Sequence, residues 1–159
     1  MMDSRNEAAE VATSDRELVM TRIFDAPRSL LFKAWTEPER MSEWFGPKGF
    51  VSTVLRCDLR PGGSYRLHML GPDGDHWLQG VYREIVEPER LVSTFAWADA
   101  DGRATRPETV LTVTLDDLGG KTRLTLRQTL FESVGARDEH NYGWNSSLER
   151  LAEYLATQR

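Results

Sequence analysis

Apolar and polar residues alternate most clearly in the two segments that precede the C-terminal part of the chain. In residues 109–115 and 122–130, most alternate positions hold leucine or valine, and threonine or arginine lies between them. This two-residue period predicts two β-strands of a sheet with one buried face and one solvated face. Residues 116–120 join them and end in two glycines, so we expect an antiparallel hairpin.

Weaker alternation predicts further strands earlier in the chain. The turns between them contain glycine, proline and aspartate, as in the Gly-Pro-Asp-Gly sequence of residues 71–74. A bulge is expected near Arg83, because the alternation slips there. The predicted strands are residues 17–24, 50–59, 64–70, 76–86 and 91–97, which brings the sheet to about six or seven strands.

Two short helices are predicted after the first strand. Asp25 is suited to cap the first of them, and Pro27 to occupy its first turn. The second begins at Pro38 and ends near Trp44, because Gly46 and the proline after it interrupt a helix.

A longer helix is predicted at residues 136–157. Its apolar residues recur at spacings of four, three and four, which places them in one stripe; they are Trp144, Leu148, Leu151 and Leu155. A helix of this length is about 30 Å long, enough to cross a small sheet. The pattern therefore predicts an α+β fold in which one long helix covers the buried face of an antiparallel sheet.

Several short sequence motifs follow one another in a distinctive order. They are residues 21–35 (TRIFDAPRSLLFKAW), 44–47 (WFGP), 58–63 (DLRPGG), 72–74 (PDG), 87–91 (EPERL), 119–125 (GGKTRLT) and 143–154 (GWNSSLERLAEY). Together they resemble the START-like (SRPBCC) superfamily, in the branch named for homology to the activator of the heat-shock protein 90 ATPase. The resemblance covers about residues 18–156. It implies a helix-grip fold, in which a curved antiparallel sheet wraps around a long C-terminal helix and leaves a cavity between them.

Length and charge narrow the function classes. The 159 residues fit one domain at residues 17–159 after a disordered tail at residues 1–16. The net charge of −5 gives no basic surface for nucleic acid and no polybasic membrane anchor. No signal-peptide or membrane-spanning segment is visible. The single cysteine, Cys57, excludes an internal disulfide and favours the cytoplasm.

No group of residues predicts catalysis or metal binding. The chain has no phosphate-binding loop, dinucleotide fingerprint or nucleophile elbow. His68, His76 and His140 have no cysteine or histidine nearby, and the aspartates beside His76 are expected on a solvated hairpin tip. We therefore expect no catalytic residue, no metal and no cofactor.

The candidate binding site is the cavity that the resemblance implies. Alternation directs Phe95, Trp97 and Leu111 to the inner face of the sheet, and Gln128 is there to orient a polar end of a ligand. The helix stripe brings Trp144 over them, and Phe45 is expected near the mouth. The predicted lining is Phe45, Met69, Phe95, Trp97, Leu111, Gln128, Trp144 and Leu148.

These features favour a protein that binds a small hydrophobic or aromatic molecule. Three alternatives stay open at this point: an enzyme of the polyketide cyclase or hydrolase type, a regulator of a chaperone ATPase, and an interaction partner in a stress response. A homodimer is a further prediction, because Trp77 and Val81 are expected to form an apolar stripe on the outer face of the sheet.

Overall fold

The computed structural model describes residues 15–158. One sheet of seven strands runs through it in the order β1-β7-β6-β5-β4-β3-β2, and every neighbouring pair is antiparallel. The strands are β1 (Leu18–Phe24), β2 (Val51–Cys57), β3 (Ser64–Gly71), β4 (Gly74–Val86), β5 (Arg90–Ala98), β6 (Thr109–Asp117) and β7 (Thr122–Thr129). Each predicted strand is therefore present, with ends that differ by one or two residues.

The described residues also form three helices: α1 (Arg28–Thr36), α2 (Pro38–Trp44) and α3 (Val134–Ala156). Pro27 is the N-cap residue of α1, one position before the first turn expected for it, and provides no side-chain cap. The capping role expected of Asp25 stays a prediction. Pro38 does open α2, where a missing N–H costs nothing. The hydroxyl of Ser133 caps α3 by accepting a hydrogen bond from the Ala136 N–H at 3.0 Å.

The core lies between α3 and the inner face of the sheet. The four residues of the helix stripe are at most 5% exposed and share one apolar cluster with the inward residues of β6 and β7. Leu124, Leu126 and Leu148 are completely buried within it. The α+β helix-grip prediction is confirmed: a curved antiparallel sheet holds a long C-terminal helix.

A bulge in β4 shapes the sheet. The register with β5 shifts between Tyr82 and Glu84, at the position expected from the sequence. Such a bulge bends the strand and strengthens the local twist. Just before it, a side chain at Gly80 would place a Cβ atom 2.0 Å from the Thr94 carbonyl oxygen, so only glycine fits there. Tyr82 then turns inward, where it is 3% exposed.

The outer face of the sheet carries only part of the expected apolar stripe. Val81 is 40% exposed, but the guanidinium of Arg66 lies over Trp77 and the ring of His68 lies 5.2 Å from it. The homodimer stays a prediction.

Of the predicted tail, residues 1–14 lie outside the described part of the chain. The Arg16 carbonyl accepts a hydrogen bond from the Phe131 N–H at 3.2 Å. In the part of the chain that is described, no helix is long and apolar enough to span a membrane.

Candidate functional site

A cleft of about 690 Å³ opens between the first half of α3 and one end of the sheet. Its walls come from the segment after α2, the β3–β4 hairpin, the end of β5 with the loop that follows, and one face of α3. We call it the aromatic cleft, because six Phe and Trp residues line it. The aromatic lining residues are Phe45, Phe50, Trp77, Phe95, Trp97 and Trp144.

The rings of the inner wall pack against one another, Phe95 on Trp97 and Phe45 on Trp144 edge to face and Phe95 on Trp144 in a tilted arrangement. The Phe95 ring lies 5.6 Å from Trp97 and 6.0 Å from Trp144, and Trp144 lies 5.6 Å from Phe45. Aromatic pairs at such distances hold each other in fixed orientations. The wall is therefore a preformed apolar surface.

The indole of Trp97 is bonded to a histidine on α3. Its Nε1–H donates to Nε2 of His140 at 2.9 Å, and Nδ1 of His140 lies 2.7 Å from the Ala136 carbonyl oxygen. An indole N–H can only donate and a carbonyl can only accept. These partners fix the neutral tautomer of His140 with its proton on Nδ1. Burial in addition lowers the pKa of His140 below its ordinary value, an effect larger than the opposing one of the Ala136 carbonyl.

The indole of Trp144 is held from below by a buried polar chain. Its Nε1–H donates to the Gln128 side-chain carbonyl at 2.8 Å, and the Gln128 amide donates to the Thr109 hydroxyl at 2.9 Å. The Thr109 hydroxyl donates in turn to the Phe95 carbonyl oxygen at 3.0 Å. Each of the side chains in this series of hydrogen bonds has a partner, as buried polar groups require. Gln128 thus orients a wall residue and is itself completely buried.

The mouth of the aromatic cleft is fastened to α3 by an arginine. Nη1 of Arg150 donates to the Gly46 carbonyl at 2.9 Å and to the Pro47 carbonyl at 3.2 Å. Gly46 has a positive φ of 99°, and a Cβ atom there would lie 2.9 Å from Met69 Cε. The turn therefore needs glycine both for its backbone conformation and for its close approach to the wall.

Charged groups surround the opening. Asp73, Asp75, Asp99 and Glu139 line the aromatic cleft together with one guanidinium, that of Arg106. Arg106 is ion-paired to Glu139 at 3.3 Å and to Glu132, outside the cleft, at 3.1 Å. The rim is therefore predominantly acidic.

Five of the eight residues expected in the wall do line the aromatic cleft; they are Phe45, Met69, Phe95, Trp97 and Trp144. The other three are corrected. Leu111 and Leu148 pack in the core, and Gln128 lies beneath Trp144 as described above. Whether the five residues bind a ligand stays a prediction.

Sequence reasoning missed His140, Arg106 and Arg150. His140 could have been found, because it precedes Trp144 by four residues and so lies on the same face of the helix. The two arginines carry no local signal, since each acts on a segment distant in sequence. Within residues 15–158, no group of three or more His, Cys, Asp or Glu side chains could hold a metal ion. The prediction of no metal still needs elemental analysis.

The fold and the cleft define a helix-grip protein of the START-like superfamily. Residues 25–156 match the family described as Activator of Hsp90 ATPase homolog 1-like protein, and the chain belongs to that family. No curated protein matches the chain.

Solved structures of bacterial proteins share the fold. A protein of Chromobacterium violaceum is 29% identical, with a TM-score of 0.78 over 87% of this chain and 96% of its own. A protein of Arthrobacter aurescens is 25% identical, with a TM-score of 0.83 over 91% of this chain and 88% of its own. DynU16, from the dynemicin biosynthetic locus, is 21% identical, with a TM-score of 0.74 over 91% of this chain and 48% of its own, which is a likeness of fold alone.

Proposed function

We propose that this protein binds a small hydrophobic or aromatic molecule in the aromatic cleft. The observation that carries the proposal is the cleft itself: about 690 Å³, lined by six Phe and Trp residues and open to solvent. This volume lies within the range of roughly 300–1,000 Å³ that is typical of small-molecule sites. The proposed setting is the cytoplasm, in keeping with a lone cysteine and no disulfide.

The proposed recognition uses ring faces. The N–H groups of Trp97 and Trp144 already donate to His140 and Gln128. A ligand therefore meets the π-surfaces of these indoles without N–H donors from them. Stacking against a fixed aromatic wall contributes about 0.5–1.5 kcal/mol per ring pair beyond the burial of apolar area.

The bonds of His140 weigh against the cyclase or hydrolase alternative. A general base in the cleft needs a nitrogen lone pair that can reach a substrate proton. The Nε2 lone pair of His140 accepts from Trp97, and Nδ1 carries a proton. Chaperone regulation stays an alternative that a measured change in a chaperone ATPase rate would establish.

The test is a titration with neutral aromatic compounds of one to three fused rings. We expect a rise in melting temperature, since a ligand that binds only the folded state stabilises it by about 2.7 kcal/mol at a hundredfold excess over Kd. Tryptophan fluorescence should be quenched, and Trp97→Ala should weaken the quenching. Tyr142→Ala is the control, because Tyr142 is 78% exposed on the same helix and does not line the cleft. A broad aromatic library that shifts neither melting nor fluorescence would refute the proposal.

A further inference from the structure

The rim of the aromatic cleft places negative charge around an aromatic interior. Four carboxylates line it against one guanidinium, and that guanidinium is shared between Glu139 and Glu132. The hydrogen bond from His76 holds the pKa of Asp73 below its ordinary value, and this carboxyl is therefore ionised at neutral pH. Negative potential at the opening attracts cations, and the faces of Trp rings attract them as well.

The Ser147 hydroxyl on the wall of the cleft has no hydrogen-bond partner within residues 15–158. Ser147 lies on α3 and is only 3% exposed. A serine hydroxyl can donate one hydrogen bond and accept two. This hydroxyl is therefore available to a polar atom of a bound molecule.

The acidic rim and the free hydroxyl lie at opposite ends of one helix face. Glu139, Gly143 and Ser147 follow one another at intervals of four residues, and all three line the cleft. Eight residues of α-helix extend about 12 Å along the axis. Glu139 is exposed at one end of this line and Ser147 is buried at the other.

From this arrangement we infer that the ligand is an organic cation: a planar aromatic body with a protonated amine at one end and a small polar group at the other. The aromatic body lies against the wall, the amine stays among the rim carboxylates, and the polar end reaches the Ser147 hydroxyl. This inference rests on the proposed function and adds the charge and polarity of the ligand to it.

The test compares three probes that share one aromatic body. They are 2-(2-naphthyl)ethylamine, which is a cation at neutral pH, the neutral 2-(2-naphthyl)ethanol, and the anion 2-naphthylacetate. Calorimetric titration of the full chain at about pH 8, above the ordinary histidine pKa, measures the three Kd values. We expect the amine to bind about tenfold more tightly than the alcohol, and the acid to bind most weakly. Added salt should reduce this preference, because the rim carboxylates are exposed.

Two neighbouring carboxylates provide a matched pair of variants. Glu139→Gln removes a rim charge, and Asp138→Asn removes the next charge on the same helix turn, which does not line the cleft. Each of these acids has an arginine partner, Arg106 and Arg137 respectively. Glu139→Gln should reduce the preference for the amine about threefold, and Asp138→Asn should leave it within about twofold. The triple variant D73N/D75N/E139Q should abolish the preference.

The polar end is tested with the 6-hydroxy derivative of the naphthylethylamine. The ring hydroxyl should improve binding to the wild-type protein and should lose that advantage in Ser147→Ala. An equal gain in both proteins would remove Ser147 from the inference.

The outcomes separate this inference from the proposed function. Equal binding of the three naphthyl probes, or tightest binding of the anion, would overturn the cation inference and leave the binding function standing. Binding of none of the three, in a protein that also ignores the neutral aromatic library, would overturn both.

Discussion

The two halves of α3 cover the same sheet in different ways. The C-terminal half presents Leu148, Leu151 and Leu155, which are at most 3% exposed and packed into the core. The N-terminal half presents Glu139, His140, Gly143 and Trp144 to the aromatic cleft. The space therefore lies beside the part of the helix where glycine and polar side chains accompany Trp144 and no leucine lines the cleft.

This comparison explains which site predictions failed. The alternation of apolar and polar residues identifies the side chains that face α3. It does not show whether those side chains pack against the helix or border a cavity. Leu111 and Leu148 were expected in the wall because they face inward, and they lie instead where leucines fill the space. In this fold the position of the cavity therefore depends on where α3 has no leucine facing the sheet.

The largest expected effect lies in the packed half. Leu148→Ala should lower the free energy of unfolding by about 2–5 kcal/mol, because the side chain is completely buried and its removal leaves a cavity. Denaturant unfolding measures it. Leu55→Ala is the control, at a leucine that is 53% exposed on β2, and it should cost less than about 1 kcal/mol. Equal losses for the two variants would contradict the packing described here.

The next largest effect is expected at the buried hydrogen bonds that Gln128 forms beneath Trp144. Gln128→Leu should cost about 1–3 kcal/mol, since it removes the acceptor of the Trp144 N–H and the donor to Thr109 within a buried site. The same variant should shift the emission of tryptophan, because the Trp144 indole loses its partner. Unchanged stability and emission would mean that Gln128 does not orient Trp144.

The fold was more predictable from the sequence than the site was. Alternation and the leucine stripe depend on neighbours in the chain, and they placed all seven strands and α3 to within a few residues. The hydrogen bond between Trp97 and His140 joins residues 43 positions apart, and no local pattern records it. The clamp of Arg150 on the Gly46 carbonyl is equally distant in sequence. Contacts between residues far apart in the sequence could not be predicted from local patterns, and the cleft is formed by such contacts.

In the N-terminal half of α3, beside the cleft, we expect a substitution that increases the free energy of unfolding by a smaller amount. Gly143→Ala should raise stability by about 0.5–1 kcal/mol, because alanine is the better helix former. The added Cβ would meet only Pro47 Cγ, at an ordinary contact distance of 3.8 Å. Thermal unfolding measures the change, and a loss of stability would mean that this face of α3 is closed.

The smallest effect concerns pH. The folded pKa of His140 is below its ordinary 6.5, so the unfolded chain takes up this proton first as pH falls. This contribution to stability is complete above about pH 6.5 and decreases below it. His140→Gln keeps an acceptor for Trp97 and cannot titrate, so its stability should fall less steeply between about pH 7 and 5. Unfolding curves of both proteins at several pH values decide the point, and identical slopes would argue against a neutral, bonded His140.

The most direct test of the account fills the aromatic cleft from the helix. Gly143 lines the cleft and Gly135, on the same helix, does not, so Gly143→Leu and Gly135→Leu form a matched pair. The measurement is the affinity of each folded variant for an aromatic compound that the wild-type protein binds. The account predicts that Gly143→Leu loses binding by tenfold or more while Gly135→Leu retains it, about 1.4 kcal/mol or more in binding free energy. Unchanged binding to Gly143→Leu would contradict the claim that the ligand occupies the space left by the N-terminal half of α3.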